Sequence, residues 1–147
     1  MKIHFVCHGN LFRSIIAEAY LKSLELKDVS AFSSGTAVNW EDQSERAIYG
    51  NTLTLLKKHN LEKCMKRVPE QLNQGRVDNG DLMICVNSIV LEEAKAIVRV
   101  PANSKVWQVT DIGEGSRVDP QKIREYEDEI FEEIKSNVDI LISELIQ

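Results

Sequence analysis

The sequence lacks the features of membrane and nucleic-acid proteins. No apolar run approaches the roughly 20 residues that span a bilayer. The first residues form too short an apolar stretch for a signal peptide and contain no small-residue cleavage site, so we expect a cytoplasmic protein with no membrane partner. Lys and Arg total 18 against 23 Asp and Glu, and no basic face suited to nucleic acid is evident.

Cysteine is also scarce. The chain has three cysteines, Cys7, Cys64 and Cys85, which are too few for a disulfide framework. An odd number in a chain that we expect to be cytoplasmic indicates reduced thiols, one of which is a candidate nucleophile. No CxxC pair occurs, and the three histidines are not spaced as metal ligands, so we expect no metal.

What the chain does contain is an alternation of strand-like and helix-like segments. Apolar runs rich in β-branched or aromatic residues predict strands at residues 2–6, 30–33, 81–86 and 105–109. Between them, apolar residues recur at helical spacing. The second helical stretch is interrupted at Gly50, and Asp119 and Pro120 are suited to cap and open the last helix.

This alternation predicts a single α/β domain over residues 1–147. We expect a three-layer fold in which a central four-stranded parallel sheet carries helices on both faces. A chain of 147 residues has the size of one ordinary domain, and no linker or repeat divides it. In such folds ligands bind at the carboxyl ends of the strands, so the loops that follow the strands are the places to look for a site.

Residues 7–14, which read Cys-His-Gly-Asn-Leu-Phe-Arg-Ser, form the loop between the first predicted strand and the first predicted helix. Gly9 and Asn10 tolerate positive φ, so the backbone N–H groups of this Cys7 loop can turn inward as an anion nest. The N-terminus of the following helix adds its own amides and dipole. Arg13 brings a planar fork that can hold two phosphate oxygens.

Cys7 would lie at the base of this anion cradle. A helix N-terminus and a nearby cation favour the thiolate form of a cysteine, which is the nucleophilic form. Ser14 can donate a hydrogen bond to the sulfur. Arg13 and the backbone amides supply the positive charge that a metal would, so no metal is needed, and we expect no cofactor. The residues of the loop therefore indicate nucleophilic chemistry on a phosphoryl group.

The Cys-x5-Arg-Ser pattern matches the signature of cysteine-dependent phosphatases, and its place at the extreme N-terminus resembles the low-molecular-weight protein tyrosine phosphatase family. Weaker matches follow in the expected order at residues 33–36, 39–40, 45–47, 80–83 and 119–120. The resemblance implies hydrolysis of phosphate monoesters through a phosphocysteine at Cys7. It favours a phosphotyrosine protein as substrate, with a small phosphate monoester as the other possibility.

The resemblance also implies a role for each matched residue. The phosphate-binding loop would comprise His8, Gly9, Asn10, Leu11, Phe12, Arg13 and Ser14, with the side chain of His8 directed away from the anion. Arg13 would also be catalytic, because it stabilises the transition state. Asp119 would be the general acid, with Asp111 as the competing candidate. Trp40 would line one wall of the substrate slot.

The sequence departs from the family pattern in two places that matter. Phe12 stands where many members have a second cysteine, so we expect no protective disulfide with the nucleophile unless Cys64 or Cys85 lies near it. Gln121 and Lys122 replace aromatic residues that often follow the Asp-Pro pair. That replacement weakens the inference to phosphotyrosine more than the inference to phosphatase chemistry.

Two other functions stay open at this point. Arsenate reductases of this type use the same loop and relay oxidation through two further, closely spaced cysteines. Cys85 ends the third predicted strand near the expected place of the first, but no second cysteine follows it closely. A non-catalytic phosphate-binding or phosphoryl-carrier module would use the loop for recognition alone. Asp119 argues against a carrier, whose phosphocysteine should be stable.

Overall fold

A computed structural model describes residues 1–109 and 120–146 of the chain. The strands are β1 (Lys2–Cys7), β2 (Ser30–Gly35), β3 (Leu82–Cys85) and β4 (Lys105–Val106). The helices are α1 (Arg13–Ser23), α2 (Gln43–Lys58), α3 (Gln74–Asn79), α4 (Ser88–Lys95) and α5 (Pro120–Leu145), with one 3-10 turn at Glu62–Cys64. This is the α/β fold that the sequence predicts.

The predicted break of the second helix at Gly50 is wrong, because α2 runs through that residue. A side chain at Gly50 would meet no atom within 4 Å, so the position is open to solvent. Glycine costs a helix about 1 kcal/mol relative to alanine. That cost is offset here, since Asp42 caps the helix through the N–H of Ser44 and Leu55 and Leu56 are fully buried.

Two further details differ from the sequence prediction. Helix α3 was not predicted because it has six residues and one buried apolar side chain, Val77, which leaves no periodicity to detect. Strand β4 is shorter than residues 105–109. Even so, the N–H groups of Trp107 and Val109 donate to the carbonyls of Cys85 and Val86 at 2.8 and 3.0 Å, so the pairing continues past the end of the strand.

The four strands are all parallel and lie in the order β2-β1-β3-β4. The chain leaves β1 for β2 on one side and later returns past β1 to β3 on the other. The carboxyl end of β1 is therefore the switch point of the sheet, where a crevice for a ligand is expected. Cys7 is the last residue of β1.

Helices cover both faces of the sheet, as two consecutive residues of β2 demonstrate. The hydroxyl of Ser33 donates to Glu18 of α1 at 2.8 Å, whereas Ser34 accepts from Arg76 of α3 at 2.6 Å. Successive side chains of a strand point to opposite faces, so α1 and α3 lie on opposite faces, which we call the α1 face and the α3 face. Cys7 pairs with Gly35, two residues after Ser33, and so belongs to the α1 face.

Helix α1 is the centre of the core, because it contacts β1, β2, α2 and α5. Ile15, Ile16 and Ala19 of this helix are fully buried. Helix α5 contributes a buried stripe at helical spacing, made of Ile130, Ile134, Val138 and Leu141. Within residues 1–109 and 120–146, no helix is both long enough and apolar enough to cross a membrane.

Candidate active site

A pocket opens where β1 ends and α1 begins. It brings together Cys7 and Arg13, whose side chains are buried, at 3% and 1% exposure. Gly9, Leu11, Phe12 and His8 from the Cys7 loop and Glu45 and Ile48 from α2 complete the lining. The two α2 residues were not singled out as lining residues from the sequence, because nothing local shows that the start of α2 approaches the loop.

Two hydrogen-bond donors converge on the sulfur of Cys7. The hydroxyl of Ser14 lies 2.9 Å from Sγ, and the backbone N–H of Asn10 donates to Sγ at 3.2 Å. Phe12 occupies the N-cap of α1, and its side chain has no atom that can accept from the first-turn N–H groups. Those amides are left facing the anion-binding end of the helix, an arrangement that favours a negative charge there.

The side chain of Asn10 favours donation from the Ser14 hydroxyl to the sulfur of Cys7. Asn10 Oδ1 accepts from Lys66 Nζ at 2.8 Å and from the N–H of Glu70 at 2.9 Å, which fixes the orientation of the amide. Asn10 Nδ2 consequently donates to the hydroxyl of Ser14 at 2.8 Å. The Ser14 oxygen accepts this bond, which leaves its hydrogen free for donation to the sulfur of Cys7.

Lys66 binds the side chain of Asn10 in the Cys7 loop, and it was not identified from the sequence. Its side chain is 8% exposed, and its ammonium donates to Asn10 Oδ1, to the carbonyl of Ser33 at 2.8 Å and to Glu70 at 3.1 Å. Burial lowers the pKa of Lys66. Burial alone would raise the pKa of Glu70, but Lys66 and Arg76 outweigh it and lower that pKa. Lys66 is 56 positions from Asn10 and lies in irregular chain, so no local pattern marks it.

The backbone of Asn10 has the left-handed conformation that the sequence suggests, with φ of 54°. Beside it, Gly35 allows a very close approach of β2 to the Cys7 loop. A Cβ at Gly35 would lie 2.7 Å from backbone atoms of that loop, which is too close for any other residue. The segment after Gly35 then binds the loop, since the N–H groups of Thr36 and Ala37 donate to the carbonyls of Cys7 and His8 at 3.0 and 2.8 Å.

Trp40 lies in a cluster of its own. Its ring packs edge-on against Tyr49 with centroids 5.1 Å apart, and the guanidinium of Arg46 lies 5.0 Å from the Trp40 centroid. Arg46 also donates to the carbonyl of Trp40 at 2.7 Å. Trp40 is not one of the described residues that line the Cys7 pocket. Its role in the substrate slot stays a prediction.

The general-acid candidates Asp119 and Asp111 lie outside the described residues, and their roles stay predictions. The side chains of Gln121 and Lys122 also lie outside the described part of the chain. In residues 1–109 and 120–146, no three His, Cys, Asp or Glu side chains are grouped so that they could hold a metal ion.

The other two cysteines are placed differently from Cys7. Cys85 pairs with Val6 across β1 and β3, so its side chain shares the α3 face with Val6 and points away from the side chain of Cys7. Burial raises the pKa of Cys85 to about 12. Cys64 is half-buried in the 3-10 turn. The sheet itself therefore separates Cys85 from the sulfur of Cys7.

Comparison with known proteins identifies relatives over the whole chain. The family described as "Low molecular weight phosphotyrosine protein phosphatase" matches residues 2–147. The low molecular weight protein tyrosine phosphatase SP-PTP of Streptococcus pyogenes has a similar structure, with a TM-score of 0.75, 21% identity, and coverage of 99% of this chain and 93% of that one. No curated protein sequence matches the chain.

Two further solved structures show that the fold serves more than one chemistry. The arginine phosphatase YwlE of Geobacillus stearothermophilus has a TM-score of 0.63 and 22% identity, covering 99% of this chain and 95% of that one. An arsenate reductase in its phosphate-binding state has a TM-score of 0.67 and 19% identity, with 97% of both chains covered. At these identities the likeness shows the fold alone.

Proposed function

The chain belongs to the low molecular weight phosphotyrosine protein phosphatase family, and on that premise we propose that it hydrolyses phosphate monoesters through a phosphocysteine at Cys7. One observation carries the proposal. The hydroxyl of Ser14 and the N–H of Asn10 converge on the sulfur of Cys7, in a pocket that also contains Arg13. This arrangement stabilises a thiolate beside a cation that can hold the phosphoryl oxygens.

The proposed reaction has two steps. The sulfur of Cys7 attacks phosphorus, so that an S–P bond forms while the P–O bond to the leaving group breaks, and the leaving oxygen takes a proton from Asp119. Water then attacks the phosphocysteine and gives its proton to Asp119, which releases inorganic phosphate and the thiolate. In both steps Arg13 and the loop amides stabilise the equatorial oxygens of the phosphoryl group.

Ser14 acts on both steps through its hydrogen bond. Because Asn10 holds the Ser14 hydroxyl as an acceptor, the Ser14 hydrogen is available to the sulfur. A hydrogen bond to the thiolate favours the attacking form in the first step and stabilises the leaving thiolate in the second. The side chain of Asn10 is therefore a positioning group, while Cys7 and Arg13 touch the reacting atoms.

We favour the phosphate ester of an aromatic alcohol as substrate, as in phosphotyrosine. Leu11, Phe12 and Ile48 give the pocket apolar walls that suit an aromatic ring. The family description and the name of the Streptococcus pyogenes relative agree with this choice. A phosphotyrosine protein partner and a cytoplasmic location both stay predictions.

A second substrate deserves a direct comparison because a carboxylate lines the same pocket. Glu45, on the first turn of α2, is 6% exposed. A buried carboxylate in this pocket repels the phosphoryl group of either substrate, and it favours a cationic leaving group over a neutral phenol. Phosphoarginine, the substrate class named for YwlE, has such a leaving group, which is its guanidinium.

Arsenate reduction is less well supported than hydrolysis. Such a relay requires a second thiol that can reach the sulfur of Cys7, and the side chain of Cys85 points to the opposite face of the sheet. The raised pKa of Cys85, about 12 because of burial, also keeps its thiol protonated and unreactive at neutral pH.

The first experiment is turnover of p-nitrophenyl phosphate with EDTA present, comparing wild type with Cys7→Ser, Asp119→Ala and Asp111→Ala. We expect many turnovers by wild type, none by Cys7→Ser, and a kcat lowered roughly 10²- to 10⁴-fold in Asp119→Ala. A normal rate in Asp119→Ala with a slow Asp111→Ala would move the acid to Asp111. If fresh, reduced wild type binds phosphate but does not turn over, the chain is a binding or carrier module.

The substrate is then decided by comparing a phosphotyrosine peptide with a phosphoarginine peptide of the same sequence context. We expect a higher kcat/KM for phosphotyrosine. A preference for phosphoarginine that Glu45→Gln reverses would establish the second substrate and contradict the first.

A further inference from the structure

The carboxylate of Glu93 joins two chain segments that meet beside the nucleophile. Nδ1 of His8 lies 3.0 and 3.1 Å from the two oxygens of Glu93, and the hydroxyl of Thr36 donates to one of them at 2.7 Å. A carboxylate can only accept, so Nδ1 of His8 carries the hydrogen. His8 is the residue after Cys7, and Thr36 is the first residue after β2, while Glu93 comes from α4.

The same two segments are also joined by their backbones. The carbonyls of Cys7 and His8 accept from the N–H groups of Thr36 and Ala37. In a trans peptide unit the carbonyl and the N–H point in opposite directions. These two bonds therefore turn the N–H groups of His8 and Gly9 away from residues 36–37, and His8 and Gly9 both line the pocket. The first amides of the anion cradle thus depend on how the two segments lie against each other.

We propose that Glu93 is a positioning residue that sets the affinity of the Cys7 loop for the phosphoryl group. By holding His8 and Thr36 together, Glu93 keeps the loop against the segment that orients its first amides. The inference rests on the proposed function only in taking the loop to bind phosphate.

The contacts distinguish Glu93 from an ordinary surface charge. The side chains of His8 and Glu93 are 24% and 31% exposed, so water and salt screen this pair less than an open surface pair. Within residues 1–109 and 120–146, the hydrogen bonds to Glu93 from His8 and Thr36 come from two separate segments, and neither belongs to its own helix. Its neighbour Glu92 is 72% exposed and pairs with Lys95 of the same helix at 3.3 Å, which makes Glu92 a matched control.

The test measures the dissociation constant of inorganic phosphate by calorimetry, together with kcat and KM for p-nitrophenyl phosphate. We expect Glu93→Ala to weaken phosphate binding and raise KM by about tenfold, the usual worth of a hydrogen bond to a charged group, with a smaller change in kcat. Glu93→Gln, which keeps one acceptor, should recover most of the loss. Glu92→Ala should match wild type.

A double-mutant cycle separates positioning from a general loss of structure. Both His8→Ala and Glu93→Ala remove the contact between His8 and Glu93, so the double variant should bind phosphate little worse than Glu93→Ala alone. If Glu93→Ala itself fails to fold, the cycle of His8→Ala with Thr36→Val carries the same expectation, because both act through Glu93.

The inference is overturned if Glu93→Ala and Glu92→Ala bind phosphate equally well, or if the two losses in the cycle simply add. It is also overturned if Glu93→Gln fails to recover binding while its melting temperature is that of wild type. Phosphate binding needs no turnover, so the proposed function can fail independently. A wild type that binds phosphate without hydrolysing p-nitrophenyl phosphate would contradict the phosphatase proposal. The effect of Glu93 on phosphate binding could still be measured.

Discussion

The two faces of the β1–β3 pair surround their ionisable side chains with different groups. On the α3 face, burial, Arg76 and Lys66 lower the pKa of His4 to about 3, and burial raises the pKa of Cys85 to about 12. Both shifts keep the side chain neutral at pH 7. On the α1 face, hydrogen-bond donors from Ser14 and Asn10 converge on the sulfur of Cys7, where the proposed reaction requires a thiolate.

The difference predicts that one of these buried thiols is reactive and the other inert. Cys7 and Cys85 end neighbouring parallel strands, and both are buried. They differ in the face to which the side chain points, and hence in the groups that meet the sulfur. For a thiol in this sheet, position along the strand matters less than the donors on its face.

The largest expected effect is the contrast between these two thiols. In the folded protein at pH 7, iodoacetamide should label Cys7 and leave Cys85 untouched, because a thiol of pKa about 12 is ionised to about one part in 10⁵. Phosphate should protect Cys7. Cys85→Ser should retain kcat/KM within about twofold, since Cys85 lies on the other face. Mass spectrometry of the labelled peptides checks this, and labelling of Cys85 at a similar rate would contradict the comparison.

A smaller effect is expected from Lys66, which orients the amide of Asn10 and so favours donation by the Ser14 hydroxyl to Cys7. Lys66→Met should slow alkylation of Cys7 at pH 7 by about tenfold, because the Ser14 hydrogen is no longer held on the sulfur. Lys63→Met, which changes an exposed lysine in the same segment, is the control. Equal rates in the two variants would show that Glu70 alone orients the amide.

The smallest expected effect concerns the neutral histidine of the α3 face. The pKa of His4 falls from an ordinary value of 6.5 to about 3 on folding, so between these values the unfolded chain binds more protons than the folded one. Stability is therefore full above pH 6.5 and declines as the pH falls. From pH 7 to pH 5.5 His4 should cost about 1 kcal/mol of unfolding free energy.

Urea unfolding of wild type and His4→Gln at pH 7 and pH 5.5 measures this decline. The variant should lose less stability over that interval than wild type by about 1 kcal/mol. The interval lies above the ordinary pKa of 4.5 for Glu70, so that carboxylate contributes little. The same decline in both proteins would mean that His4 is not the group that titrates.

Sequence reasoning predicted the parts of the molecule that depend on neighbours along the chain. The α/β class, the parallel sheet and the long last helix follow from periodicity. The left-handed Asn10 follows from residue preference. The same reasoning failed where the local signal was weak or misleading. It missed the six-residue α3, and it gave Gly50 too much weight in a helix that its buried face stabilises.

The candidate site divides in the same way. Cys7, Arg13 and Ser14 lie within eight consecutive residues, so their residue types and spacing alone indicate an anion cradle with a nucleophile. The groups that hold this loop come from distant segments: His8 meets Glu93 across 85 positions, and Asn10 meets Lys66 across 56. Nothing in the local sequence distinguishes Lys66 or Glu93 from solvated surface charges.

The sequence by itself determined the loop, because its backbone preferences and the spacing of its eight residues involve only neighbours along the chain. Only the tertiary structure decided which charges support it and which face each cysteine occupies. Those outcomes depend on the strand order β2-β1-β3-β4 and on its register, which bring residues 36, 66 and 93 to the carboxyl end of β1. Long-range pairing of this kind is set by the packing of the whole core, which no short window of sequence contains.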